Sequence, residues 1–115
     1  MRVLIVDDHP SFRASARRLL AAEGFDVVGE AEDGASALAE AARLLPELVL
    51  LDVQLPDIDG FEVASRLTRG GGGPAVVLTS SRDGSDFGPL VAASGAAGFV
   101  PKGDLTGDAL HAIVG

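Results

Sequence analysis

Lys102 is the only lysine in this chain, and it closes the apolar run Gly98-Phe99-Val100-Pro101 in a protein whose other cations are arginines. Three further apolar runs end in reactive polar groups. Val3-Leu4-Ile5-Val6 runs into Asp7-Asp8, Leu48-Val49-Leu50-Leu51 into Asp52, and Ala75-Val76-Val77-Leu78 into Thr79-Ser80. Carboxylates, hydroxyls and one ammonium can hold a cation or neutralise charge on a transferring group. They can do so only if the runs lie side by side and end at the same edge.

The rest of the sequence supplies the elements for that arrangement. Residues Pro10 to Glu23 place Phe12, Ala16, Leu19 and Leu20 on one helical face and Arg13, Arg17 and Arg18 off it, with Pro10 suited to the first turn and Gly24 to the stop. Phe25 to Glu30 reads as a half-buried edge strand. Asp33-Gly34 opens an alanine-rich helix to about Leu45, which Pro46 ends. Leu48 to Val53 is apolar on both faces, as a central parallel strand requires. A helix over Gly60–Arg69, a strand over Ala75–Ser80, a helix near Ser85–Ser94, a strand over Gly98–Lys102 and a short helix from Thr106 complete a (βα)5 series.

Alternating βαβ units require right-handed crossovers and a parallel sheet covered on both faces. The expected class is α/β, a doubly wound five-stranded parallel sheet of order 2-1-3-4-5. Ligands bind beyond the carboxyl ends of such strands where the order reverses, here between the strands ending in Asp7-Asp8 and in Asp52. Three carboxylates meeting there repel one another, so a proton is retained or a cation held, and hard oxygen ligands in this number suit Mg²⁺. A dinucleotide site is disfavoured, because Asp7-Asp8-His9-Pro10-Ser11 has no glycine fingerprint and sets negative charge where a pyrophosphate would lie.

At 115 residues, 47% of them hydrophobic, the chain has material for one core, expected as a single domain over 1–115. The absence of cysteine removes disulfides and thiolate metal sites, which fits a cytoplasmic protein. Met1-Arg2 leads directly into a strand-length run, far short of a signal peptide or a membrane span. A net charge of −8 disfavours binding of nucleic acid or anionic lipid by this domain unaided.

Asp7-Asp8, the segment Asp52-Val53-Gln54-Leu55-Pro56-Asp57-Ile58-Asp59-Gly60, Thr79 and Lys102 together resemble the receiver domains of two-component response regulators, the CheY-like family. The likeness spans essentially the whole chain. It implies that Asp52 accepts a phosphoryl group from a phosphohistidine on a sensor histidine kinase. It further implies that Asp7, Asp8, Asp52 and the backbone carbonyl of Gln54 hold Mg²⁺, that Thr79 and Lys102 contact the phosphoryl oxygens, and that Thr79 and Phe99 form a conformational switch. The stretches Asp7-Asp8-His9-Pro10 and Gly98 to Leu105 look most like NarL/FixJ-group receivers. These are joined to a DNA-binding helix-turn-helix domain absent from this sequence, so the likeness implies control of transcription, with a stand-alone receiver or a pseudo-receiver that binds partners without phosphorylation as the alternatives. A haloacid-dehalogenase-like phosphotransferase also uses an aspartyl phosphate, but it wants an acid two residues after the nucleophile, where Gln54 stands.

The remaining residues carry plainer expectations. Pro56 and Gly60 shape the turn after Asp52, Asp57 and Asp59 are solvated loop acids, His9 is a loop residue, and Gly70–Gly73 form a flexible connector. Many receivers follow the strand-five lysine with a cis proline. Here Gly103 follows Lys102 and Pro101 precedes it. The acids near the fourth and fifth helices, with Lys102 as their only cation, are expected to prevent a charged dimer on that face, and any phosphorylation-dependent homodimer is expected on another surface, such as one that includes the first helix with Arg13, Arg17 and Arg18.

Overall fold

A computed structural model describes residues 1–81 and 87–114. Five strands, β1 (Arg2–Val6), β2 (Asp26–Ala31), β3 (Leu48–Asp52), β4 (Ala75–Ser80) and β5 (Gly98–Pro101), form one parallel sheet of order β2-β1-β3-β4-β5. The reversal lies between β1 and β3, as expected for the common five-strand order. The connecting helices are α1 (Pro10–Ala22), α2 (Gly34–Leu44), α3 (Gly60–Thr68) and α4 (Gly88–Ala93), and α5 (Gly107–Val114) closes the series.

The side-chain period of two divides the strands between two cores. Val3, Ile5, Leu48, Leu50, Val77 and Val100 pack on one face with Ala16 and Leu20 of α1 and Leu110 of α5. Leu4, Val6, Val49, Leu51, Val76 and Leu78 pack on the other with α2 and α3. Every residue of β3 is buried, whereas β2 and β5 are partly open edges. Leu50 has no exposed surface, so truncating it to alanine would cost about 2–5 kcal/mol and leave a cavity between β3 and the α1–α5 layer.

Several boundaries differ slightly from the sequence pattern. Helix α2 ends at Leu44 because Leu45 takes the left-handed conformation, φ 50°, ahead of Pro46. The Arg2 guanidinium donates to the freed carbonyls of Leu44 and Leu45, at 2.5 and 2.7 Å. Strand β5 stops at Pro101, and Lys102 begins a 3-10 turn, Lys102–Asp104, instead of ending the strand. No peptide among the described residues is cis. The helix expected near Ser85–Ser94 is described from Gly88, and Ser85 lies outside the described residues.

Candidate functional site

The four expected strand ends meet at one edge. Val6 is registered against Leu51, which sets Asp7 beside Asp52, and Asp52 is registered against Thr79. Asp7 is fully buried and Asp52 is 3% exposed, while Asp8 faces outward. From the start of the 3-10 turn Lys102 reaches back into the crevice. Its ammonium lies 2.6 Å from Asp7 Oδ2, close but off the line of a directed hydrogen bond, and 3.3 Å from Asp52 Oδ2. The same ammonium sits 4.5 Å from the centre of the Phe12 ring, so α1 supplies a face for its cation.

Two buried carboxylates thus share one ammonium. Burial pushes the Asp52 carboxyl above the usual range, and the charge of Asp7 adds to the rise against the Gln54 N–H and Lys102. Burial alone would lower Lys102, but the Asp7 carboxylate against its ammonium and the charge of Asp52 raise it instead. The excess negative charge favours a cation in the crevice. One ligand atom each from Asp7, Asp8, His9 and Asp52 can be chosen within 4.8 Å of one another. Three of the four are carboxylate oxygens, and with Asp8 on the solvent side the donor set fits a hard, partly hydrated divalent ion.

The loop after β3 is closed by backbone geometry. Gln54 N–H donates to Asp52 Oδ1 at 3.1 Å, Val53 N–H to Thr79 O at 2.9 Å, and Gly60 N–H to Val53 O at 2.7 Å. A Cβ on Gly60 would stand 2.2 Å from Asp52 O, so this glycine is required by close approach. Thr79 is fully buried, and its hydroxyl has no hydrogen-bond partner among the described residues. Phe99 lies one position off Thr79 on the neighbouring strand. Its ring is 5.8 Å from Phe87, which is 5.8 Å from Phe61.

Sequence reasoning missed four participants. His9 is more than a loop residue, since its Nδ1 lies 3.0 Å from Asp7 Oδ1 and 3.1 Å from Asp8 Oδ1. Arg13 donates from Nη1 to Asp7 O at 2.6 Å while its Nε meets Glu30 at 3.1 Å, which pins the backbone that presents Asp7. Asp57 and Asp59 are not merely solvated. Asp59 caps α3 through Glu62 N–H, and Asp57 accepts from the first two N–H groups of α2. For Arg13 the strand order held a signal, because it sets the end of β2, with Glu30, next to β1. No local signal marked Asp57.

Residues 3–114 match the model of the response regulator receiver domain. The chain is 40% identical to BvgA, a transcription regulator of virulence factors from Bordetella pertussis, over 96% of its own length and 53% of that protein's. It is 38% identical to the response regulator GacA of Pseudomonas protegens, over 98% of its length and 54% of that protein's. It therefore spans about half the length of these curated relatives. Among solved structures, the signal receiver domain of NarL from Mycobacterium tuberculosis superposes with a TM-score of 0.86 at 38% identity, covering 99% of this chain and 96% of that one. With the reversal-point acids, the buried hydroxyl and the single ammonium in place, the chain belongs to the response regulator receiver domain family.

Proposed function

We propose that Asp52 is the phosphoacceptor of this receiver and that a sensor histidine kinase is the donor. The observation that carries the reading is that, among the described residues, Asp52 alone is flanked at once by a second buried carboxylate, a buried hydroxyl without a partner and the only lysine. In the transfer an Asp52 Oδ forms the bond to phosphorus as the bond from phosphorus to the leaving imidazole breaks, and the kinase histidine keeps the departing electron pair. Lys102 supplies positive charge for the transferred oxygens as a compact ammonium, a role a broad guanidinium would fill poorly in so narrow a crevice. The Thr79 hydroxyl, without a partner among the described residues, donates to one of those oxygens.

Asp7, Asp8, Asp52 and the Gln54 carbonyl would hold Mg²⁺. Bound there, it supplies Lewis-acid neutralisation of the phosphoryl oxygens. The chain promotes only its own phosphorylation and dephosphorylation and acts on no separate substrate. Residues 1–115 form one receiver unit of a cytoplasmic regulator whose remaining length carries a DNA-binding output domain. No helix among the described residues is long and apolar enough to cross a membrane. Incubation with acetyl phosphate and Mg²⁺ should give one labile adduct of a phosphoryl mass by intact mass spectrometry. Asp52→Asn should lose it, and Asp8→Asn should raise the Mg²⁺ needed. An adduct that persists in Asp52→Asn would overturn the assignment.

A further inference from the structure

Helix α2 begins under two carboxylates. Asp33, its own N-cap, accepts from Ser36 N–H at 2.7 Å. The two preceding donors, Gly34 N–H and Ala35 N–H, go to Oδ1 and Oδ2 of Asp57, at 2.8 and 2.9 Å. Asp57 lies in the loop that follows Asp52, and its Oδ1 also accepts from Ile58 N–H at 2.8 Å. A helix start carries partial positive charge and unpaired donors, so a carboxylate delivered from elsewhere in the chain fixes both partners. The contact is close-packed as well. A Cβ on Gly34 would stand 2.3 Å from Ile58 Cγ1 and 3.1 Å from Asp57 Oδ1. The absence of a side chain at Gly34 is what lets the loop dock this closely.

The loop so held is the one that presents Gln54. Its base is closed by the Gly60 to Val53 hydrogen bond, its middle is anchored by Leu55 and Ile58 against the α2–α3 core, and its tip is held by Asp57. We propose that Asp57 is a positioning residue for the cation site: by latching the loop to the start of α2 it holds the Gln54 carbonyl where a divalent ion can use it. This rests on the reading of Gln54 as a metal ligand. A loop freed from α2 samples more conformations, and the ion must then order it on binding.

The test separates metal positioning from helix capping, because α2 has two carboxylate caps and only one belongs to the loop. Mg²⁺ dissociation constants are measured by calorimetry for the wild type, Asp57→Ala, Asp57→Asn and Asp33→Ala. Binding to a loop freed from α2 must also order it, so Asp57→Ala should raise the constant severalfold. Asp57→Asn keeps one acceptor oxygen and should fall between. Asp33→Ala lowers stability by uncapping the same helix and should leave Mg²⁺ affinity unchanged. In acetyl phosphate reactions Asp57→Ala should require more Mg²⁺ for half-maximal rate and reach the wild-type rate at saturation.

Unchanged Mg²⁺ affinity in Asp57→Ala overturns the proposal, and so does equal weakening in Asp33→Ala. Exchange of the Gly34 and Ala35 amides, followed by NMR without metal, should accelerate in Asp57→Ala, and a failure to do so overturns the latch itself. A wild-type chain that takes no Mg²⁺ overturns the metal reading of the whole site and with it this role. Affinity that falls in Asp8→Asn but not in Asp57→Ala overturns only the role of Asp57.

Discussion

Asp52 is held in a conflict that measurement can expose. Two buried acids share Lys102, so one negative charge is in excess, and Asp52→Asn removes it while leaving the pair of Asp7 and Lys102 intact. Without divalent ions the variant should be more stable at neutral pH by on the order of 1 kcal/mol, a figure kept small by solvent on the Asp8 side. The sign follows from the raised Asp52 pKa. The folded state keeps the proton longer than the unfolded chain, so the penalty is absent below the ordinary carboxylate range, grows as pH rises from that range to the folded value, and is complete above it. Urea denaturation in a chelator should therefore show the gain at about pH 7.5 and lose it near about pH 4. A gain that survives at the acid end would mean charge is not its cause. Mg²⁺ should reverse the order, because binding stabilises only the chain that can hold the ion. These acids were legible in the sequence because each ends or follows an apolar run. Asp57 was not, because its partners lie 22 and 23 residues upstream and meet it only once α2 and the loop are both in place.

The central strands were readable because their runs are apolar on both faces and β2 because it is half-buried, and the order is the common one for a right-handed five-stranded sheet. The aromatic contacts between elements were not readable. Phe61 opens α3, Phe87 precedes α4 and Phe99 sits in β5, and no spacing along the chain announces that their rings form a row. That row gives the switch expectation a physical route. If the Thr79 hydroxyl turns toward a phosphoryl group, the space it leaves lies one strand from Phe99, and a close-packed interior refills such space. Saturation with beryllofluoride and Mg²⁺ should move the Phe99 ring resonances, and those of Phe87 with them. Thr79→Ala should still take the phosphoryl group from acetyl phosphate but should shift the Phe99 ring much less. Unmoved Phe99 resonances in the wild type would refute the coupling of β4 to β5.

At the scale of the whole molecule the distribution of charge limits how two copies can meet. Residues 87–114, which include α4, β5 and α5, contain one cation besides His111, and that is Lys102. Its ammonium is committed to Asp7 and Asp52, while Asp104 and Asp108 are exposed on the same part of the surface. Asp83 and Asp86, which share the acidic character in sequence, lie outside the described residues. Symmetric pairing through that face would set acid against acid with no cation to interleave, and like charges across an interface oppose association. The first helix offers less free positive charge than its sequence suggests. Arg13 and Arg17 both pair with Glu30, although Arg17 stays exposed, and Arg18 is exposed as well. We expect the beryllofluoride-bound chain to avoid a charged dimer on the α4–β5–α5 face and to use a surface that includes α1 if it dimerises. Arg18→Glu should then weaken the assembly seen by small-angle scattering, whereas Asp108→Lys should leave it unchanged. Weakening by Asp108→Lys alone would place the interface on the acidic face and show that apolar contact around Leu90, half exposed there, outweighs the missing cations.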